Sequence, residues 1–166
     1  MKFFFGHRDK SAKDVAPQQK DGQEITKSYE PIYAKRMKIE NGIFTKEQLL
    51  DLVKNEKDVY LVQVYIAKLA KEKMLDNGTT VALISLFKGQ VENPKPSWHV
   101  MSSVLDALLT SDTSDEYKLT TFKQLNASVQ DMEPRIRELI RMEINIKMNT
   151  SCTLLQAQRD QKPEYE

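Results

Sequence analysis

The chain has 166 residues, of which 40% are apolar and 30% charged. That supports one core in one domain and is too polar for a membrane span. Lys and Arg total 25 against 24 Asp and Glu, a net charge of +1, which argues against a uniformly basic nucleic-acid clamp. A single Cys excludes an intrachain disulfide and suits a reducing compartment; with only two His no zinc ligand set of ordinary spacing exists.

In chain order, Met1-Lys2-Phe3-Phe4-Phe5-Gly6 comes first. It is shorter than the roughly 7–15 apolar residues of a secretory segment, so a cytoplasmic protein is expected. Residues 1–28 hold few apolar side chains after Phe5 and read as a flexible basic arm. Residues 29–158 read as one α+β domain and 159–166 as a disordered tail. Met37 and Ile39 alternate with charges before the turn signal Asn41-Gly42, which predicts a short strand or hairpin. Thr45 with Gln48 three residues on forms a capping box, and Phe44 can staple onto Leu49, which predicts a helix from about Lys46 to Glu56. Asp58 caps a second helix whose face carries Val62, Tyr65, Ile66 and Leu69, with Asn77-Gly78 as its expected stop. Thr79 to Phe87, T-T-V-A-L-I-S-L-F, reads as a buried strand, a pattern that a buried helix also produces. Ser97 caps a third helix with Trp98, Met101, Val104, Leu105, Leu108 and Leu109 on one stripe, ending at Thr110-Ser111-Asp112.

The last third sets the expected fold class. Ile140, Met142, Ile144, Ile146, Met148, Cys152 and Leu154 occupy even positions, and the odd positions from Arg141 to Thr153 are polar. A strand places alternate residues on one face, whereas a helix turns every second residue by about 200°. The alternation therefore predicts a long antiparallel strand over about Leu139 to Leu155, partnered by one at Tyr117, Leu119 and Thr121. A short helix or turn over Asp131 to Arg137 would join the two. The expected fold is α+β: an antiparallel sheet with three or so helices packed on it.

The sequence is poor in chemistry. It has no Gly-rich phosphate loop and no nucleophile elbow. His7 lies in the arm, His99 opens the third helix as a surface histidine, and Cys152 falls on the apolar face of the expected strand as a small core residue. Asp112, Asp115 and Glu116 read as a loop feeding a helix cap rather than a cation site. No catalytic residue, metal, cofactor or small-molecule substrate is expected. The remaining candidates are interaction residues. Lys2, Arg8, Lys10 and Lys13, opposed only by Asp9 and set beside Phe3, Phe4 and Phe5, suit an anionic membrane surface or a nucleocapsid. Pro31 and Tyr33 have the look of a docking peptide, and Lys35, Arg36 and Lys38 form a second basic run.

This order of elements resembles the plan of rhabdovirus matrix proteins, and the short length is similar to the plant-infecting cytorhabdovirus branch. The likeness rests on the basic arm, the Pro31/Tyr33 stretch, the strand Arg36-Met37-Lys38-Ile39, helices from Thr45 and Asp58, the buried strand Thr79 to Phe87, the Trp98 helix, and the strand around Arg141 to Ile146. It covers about Met1 to Leu155 and is one of layout. The resemblance implies a non-enzymatic virion protein of the host cytoplasm and its membrane periphery. Such a protein would self-associate into homo-oligomers and bridge a helical nucleocapsid, or another viral protein, to membrane during assembly and budding. Glu30-Pro31-Ile32-Tyr33 lacks the P-P-x-Y motif of many animal-virus members, and the net charge is less basic than theirs. The competing expectation is a cytosolic adaptor or regulatory module that binds one protein partner.

Overall fold

The structure is a computed structural model that describes residues 30–161. Over that range the backbone forms seven helices, α1 (Ile32–Asn41), α2 (Lys46–Asn55), α3 (Val59–Lys71), α4 (Asn77–Glu92), α5 (Trp98–Thr110), α6 (Asp115–Ser128) and α7 (Pro134–Asp160), with no strand among the described residues. The α+β expectation is thereby overturned.

The caps explain where most helices begin. Thr45 accepts from the Gln48 amide while the Gln48 side chain accepts from the Thr45 amide at 2.8 Å, completing the capping box at α2. Asp58, Asp76, Ser97, Ser114 and Glu133 each accept an amide of the first turn of the helix that follows, satisfying donors that no helical carbonyl reaches. Pro134 stands at the start of α7, where its missing N–H is not needed.

Helix α3 stops earlier than Asn77-Gly78. Lys73 adopts a left-handed φ of 55°. Its amide donates to the Ala70 carbonyl and the Met74 amide to that of Leu69, the paired bonds of a Schellman end. Asn77-Gly78 then opens α4 instead of closing α3. Glycine is required at position 42, after α1: an added Cβ would lie 2.6 Å from a Phe44 ring carbon and 2.8 Å from the Lys38 carbonyl oxygen.

Helices α3 and α5 form the centre and pack on each other. α1 and α2 lie on α3, α4 lies against α5, and α7 packs on α5 and α6. Leu49, Ile66, Leu69, Leu83, Phe87, Met101, Leu105, Phe122, Leu125, Ile140 and Ile144 fill one continuous core with essentially no exposure. Lys68 is buried but not orphaned, since its Nζ donates to the Glu40 carbonyl at 2.8 Å and pairs with Glu72 at 2.9 Å. This ties the end of α1 to α3 with a cation near carbonyls that the helix leaves free.

Four segments expected as strands are helical. Arg36-Met37-Lys38-Ile39 lies in α1, Thr79 to Phe87 in α4, Tyr117 to Thr121 in α6, and Leu139 to Leu155 in α7. In α4, Thr79, Thr80, Leu83 and Phe87 are buried at helical spacing, so the apolar run is a helix that is lined on one side. Helix α7 is about 40 Å long at 1.5 Å per residue. It continues through Arg159 and Asp160, two residues into the stretch expected as disordered tail.

Candidate functional site

The alternation in the last third has a different meaning on a helix. Residues two apart point about 200° away from each other, so the even-numbered apolar positions split into two opposite stripes. Ile140 and Ile144 are fully buried and Met148 is half-buried against the core. Met142 and Ile146 point the other way, 58% and 53% exposed, and Leu139 beside them is 38% exposed. Cys152, expected in the core, is exposed. An amphipathic helix needs one apolar face to fold; α7 has two, and the fold uses one.

The outer stripe runs Leu139, Met142, Ile146, Thr150, Thr153, at spacings of three and four that keep it along one line. The two threonines extend its apolar character. The Thr150 hydroxyl donates to the Ile146 carbonyl at 3.0 Å and the Thr153 hydroxyl to that of Asn149 at 2.9 Å, so both hydroxyls are engaged within the helix. The flank toward α5 is polar and fixed. Lys147 pairs with Asp106, and with Glu143 at 3.5 Å, and Ser102 donates to Glu143 at 3.2 Å. Burial pulls the Lys147 ammonium down, but Asp106 and Glu143 together raise its pKa above the ordinary lysine value. This network flanks the buried Ile140 and Ile144 stripe, whose packing on α5 and α6 decides which stripe faces outward.

A concave site lies between α1 and α3, a cleft of about 310 Å³ lined by Arg36, Glu40, Tyr60, Lys68 and Lys71 among others. Arg36 donates to Glu40 at 2.6 Å and to the Tyr60 hydroxyl at 2.8 Å; these bonds, that to Glu40 foremost, raise its pKa. Both charge signs line this cleft, and it contains no nucleophile paired with a base.

Of the residues singled out from the sequence, Lys2, Phe3, Phe4, Phe5, His7, Arg8, Lys10 and Lys13 lie outside the described residues. Pro31 is the residue before α1 and Tyr33 is 70% exposed on its first turn. Lys35, Arg36 and Lys38 share that helix but form no row. Arg36 turns to Glu40 and Tyr60, and Lys38 pairs with Glu30. Only Lys35 of the three is without an ion pair among the described residues. His99 is exposed in the first turn of α5, its ring 6.0 Å from that of Trp98 and with no carboxylate bonded to it among the described residues. Asp115 receives a bond from Gln158 at 2.7 Å and sits 3.7 Å from Lys118, while Glu116 and Asp112 are exposed. Among the described residues no three His, Cys, Asp or Glu side chains converge on a metal position, and no helix is long and apolar enough to cross a membrane.

Comparison with protein-family models, with curated proteins and with solved structures finds no match.

Proposed function

We propose that the chain is a non-enzymatic interaction protein that associates with further copies of itself through the outer face of α7. The supporting observation is the second apolar stripe, Leu139, Met142 and Ile146, on a helix whose other stripe already anchors it to α5 and α6. Side chains of this kind gain about 1.5–3 kcal/mol on full burial. Roughly half of that is still to be had at each of the three, or about 6 kcal/mol for a symmetric pair. Association itself costs at least about 4 kcal/mol, so the stripe alone leaves about 2 kcal/mol, and a Kd near 1 mM requires about 2 kcal/mol more from the contacts that flank it. Weak contacts of this size serve assemblies in which many copies are held together. Sedimentation equilibrium over a wide concentration range tests the reading. The native chain should show reversible association, and Met142→Glu/Ile146→Glu should remain a monomer with unchanged helix content. A native chain that stays monomeric at millimolar concentration, or a double variant that associates equally well, refutes it.

The matrix-type role is a narrower proposal than self-association. The three strands in the layout that suggested it are helical, and its basic residues Lys2 to Lys13 lie outside the described residues. Flotation with anionic vesicles, comparing the full chain with one lacking residues 1–13, tests that part separately: equal flotation removes it.

A further inference from the structure

Helices α2 and α4 touch only lightly, and a groove of about 310 Å³ opens between them. Leu50 and Val53 line it from α2, and Ala82, Ser85, Leu86 and Gly89 from α4. Gly89 is at odds with its place in a helix interior, where glycine is disfavoured against alanine. An added Cβ there would meet nothing within 4 Å among the described residues, so packing within them does not call for a glycine. What the glycine does is deepen the groove. Ala82, Ser85 and Gly89 fall at spacings of three and four on one side of α4, so the groove wall is low there.

The chain outside the described residues contains one uninterrupted apolar run, Phe3-Phe4-Phe5. We propose that this segment of the same chain occupies the α2–α4 groove through its phenylalanine rings. An apolar cavity of about 150 Å³ admits a benzene ring, so the groove, at about 310 Å³, has room for aromatic side chains. Reach is ample. From Gly6 to Glu30, where the described residues begin, the chain can extend to about 80 Å, more than twice the roughly 35 Å diameter of a domain of this size. Because the segment is tethered, its effective concentration at the groove is set by the linker and not by the amount of protein. This proposal does not depend on the α7 reading.

Thiol accessibility in the full chain tests it. Cys152→Ser removes the single native thiol, and Gly89→Cys places one in the open space of the groove. Adding Phe3→Ser/Phe5→Ser should speed maleimide labelling of that thiol by about tenfold, the factor for a groove left open a tenth of the time. The factor should be independent of protein concentration. Equal rates overturn the proposal, as does a difference that disappears on dilution, since that assigns the occupant to a second copy. A second measurement leaves the groove untouched: a benzophenone amino acid at position 5 of the otherwise native chain. Intrachain crosslinks to α2 and α4 support the proposal. Crosslinks confined to other surfaces, or formed only when phosphatidylserine vesicles are added, overturn it.

Discussion

Ile144 and Ile146 are the same residue type two positions apart on one helix, and truncating each separates the helical reading of the last third from an extended one. Ile144 is fully buried and Ile146 is 53% exposed. Ile144→Ala leaves a cavity among core side chains that cannot collapse fully, and such changes cost about 2–5 kcal/mol. Ile146→Ala gives up contact with only part of a side chain. It also gains a few tenths of a kcal/mol of helix propensity, so its net effect should lie within about 0.5 kcal/mol of zero. With a urea slope of about 2 kcal/mol/M for a domain of this size, the first variant should lower the unfolding midpoint by about 1–2.5 M and the second by about 0.25 M or less. The assay is urea unfolding followed by far-UV circular dichroism at a protein concentration too low for association. On a one-faced strand both isoleucines would be core residues. Comparable midpoint losses for the two variants would refute the arrangement of α7 described above.

Two further outcomes follow from the helix ends. Lys73 holds a left-handed φ of 55° that costs a side-chain-bearing residue about 1–2 kcal/mol and glycine almost nothing. Lys73→Gly should therefore raise the urea midpoint, by up to about 1 kcal/mol of stability after the added chain entropy of glycine is counted; a fall would mean that the Lys73 side chain has a stabilising role of its own. Asp76 caps α4 and receives a hydrogen bond from Lys46 at 2.7 Å. That bond first, with the Thr79 amide second, lowers its pKa from 3.8 to about 2. A carboxylate depressed on folding stabilises above its unfolded pKa and loses that contribution as pH falls through the folded one. The native chain should thus lose stability between about pH 4 and about pH 2 through this group. Asp76→Asn keeps a capping oxygen but should flatten that part of the profile, and an unaltered acid limb would contradict the assignment.

Helix starts were legible in the sequence wherever a short polar pattern decides them. Thr45 with Gln48, Asp58 and Ser97 are capping residues that act across three or four positions, and each does in the structure what its position suggests. The stripe from Trp98 to Leu109 was legible for a similar reason, because its spacing matches only a helix. Three features hid the rest. The run Thr79 to Phe87 is rich in strand-favouring residues, and its cap, Asp76, stands before a glycine that reads more readily as a stop. α1 has no side-chain cap and little apolar periodicity, so no local signal marks it. In α7 the period of two arises from two helical stripes laid back to back. The signal that separates the cases was present: no Gly or Pro interrupts the segment between Pro134 and Asp160, and a strand from Leu139 to Leu155 would be far longer than the usual 3–10 residues. The outer stripe was visible as residues but not as a surface, because its exposure depends on which stripe α5 and α6 cover. The α2–α4 groove could not be read at all, since it exists only through the packing of two helices and the missing side chain at Gly89.

The joining of α6 to α7 also bears on how quickly the chain finds its structure. These two helices, separated only by residues 129–133, are the most extensively packed pair among the described residues. A hairpin of neighbouring helices closes a short loop at small entropic expense and can form on the microsecond scale. The slower event is bringing α3 and α5 together, because α4 and its flanking turns must first be looped out between them. Refolding should therefore show early helical signal from the C-terminal half, ahead of burial around Ile66 and Leu105.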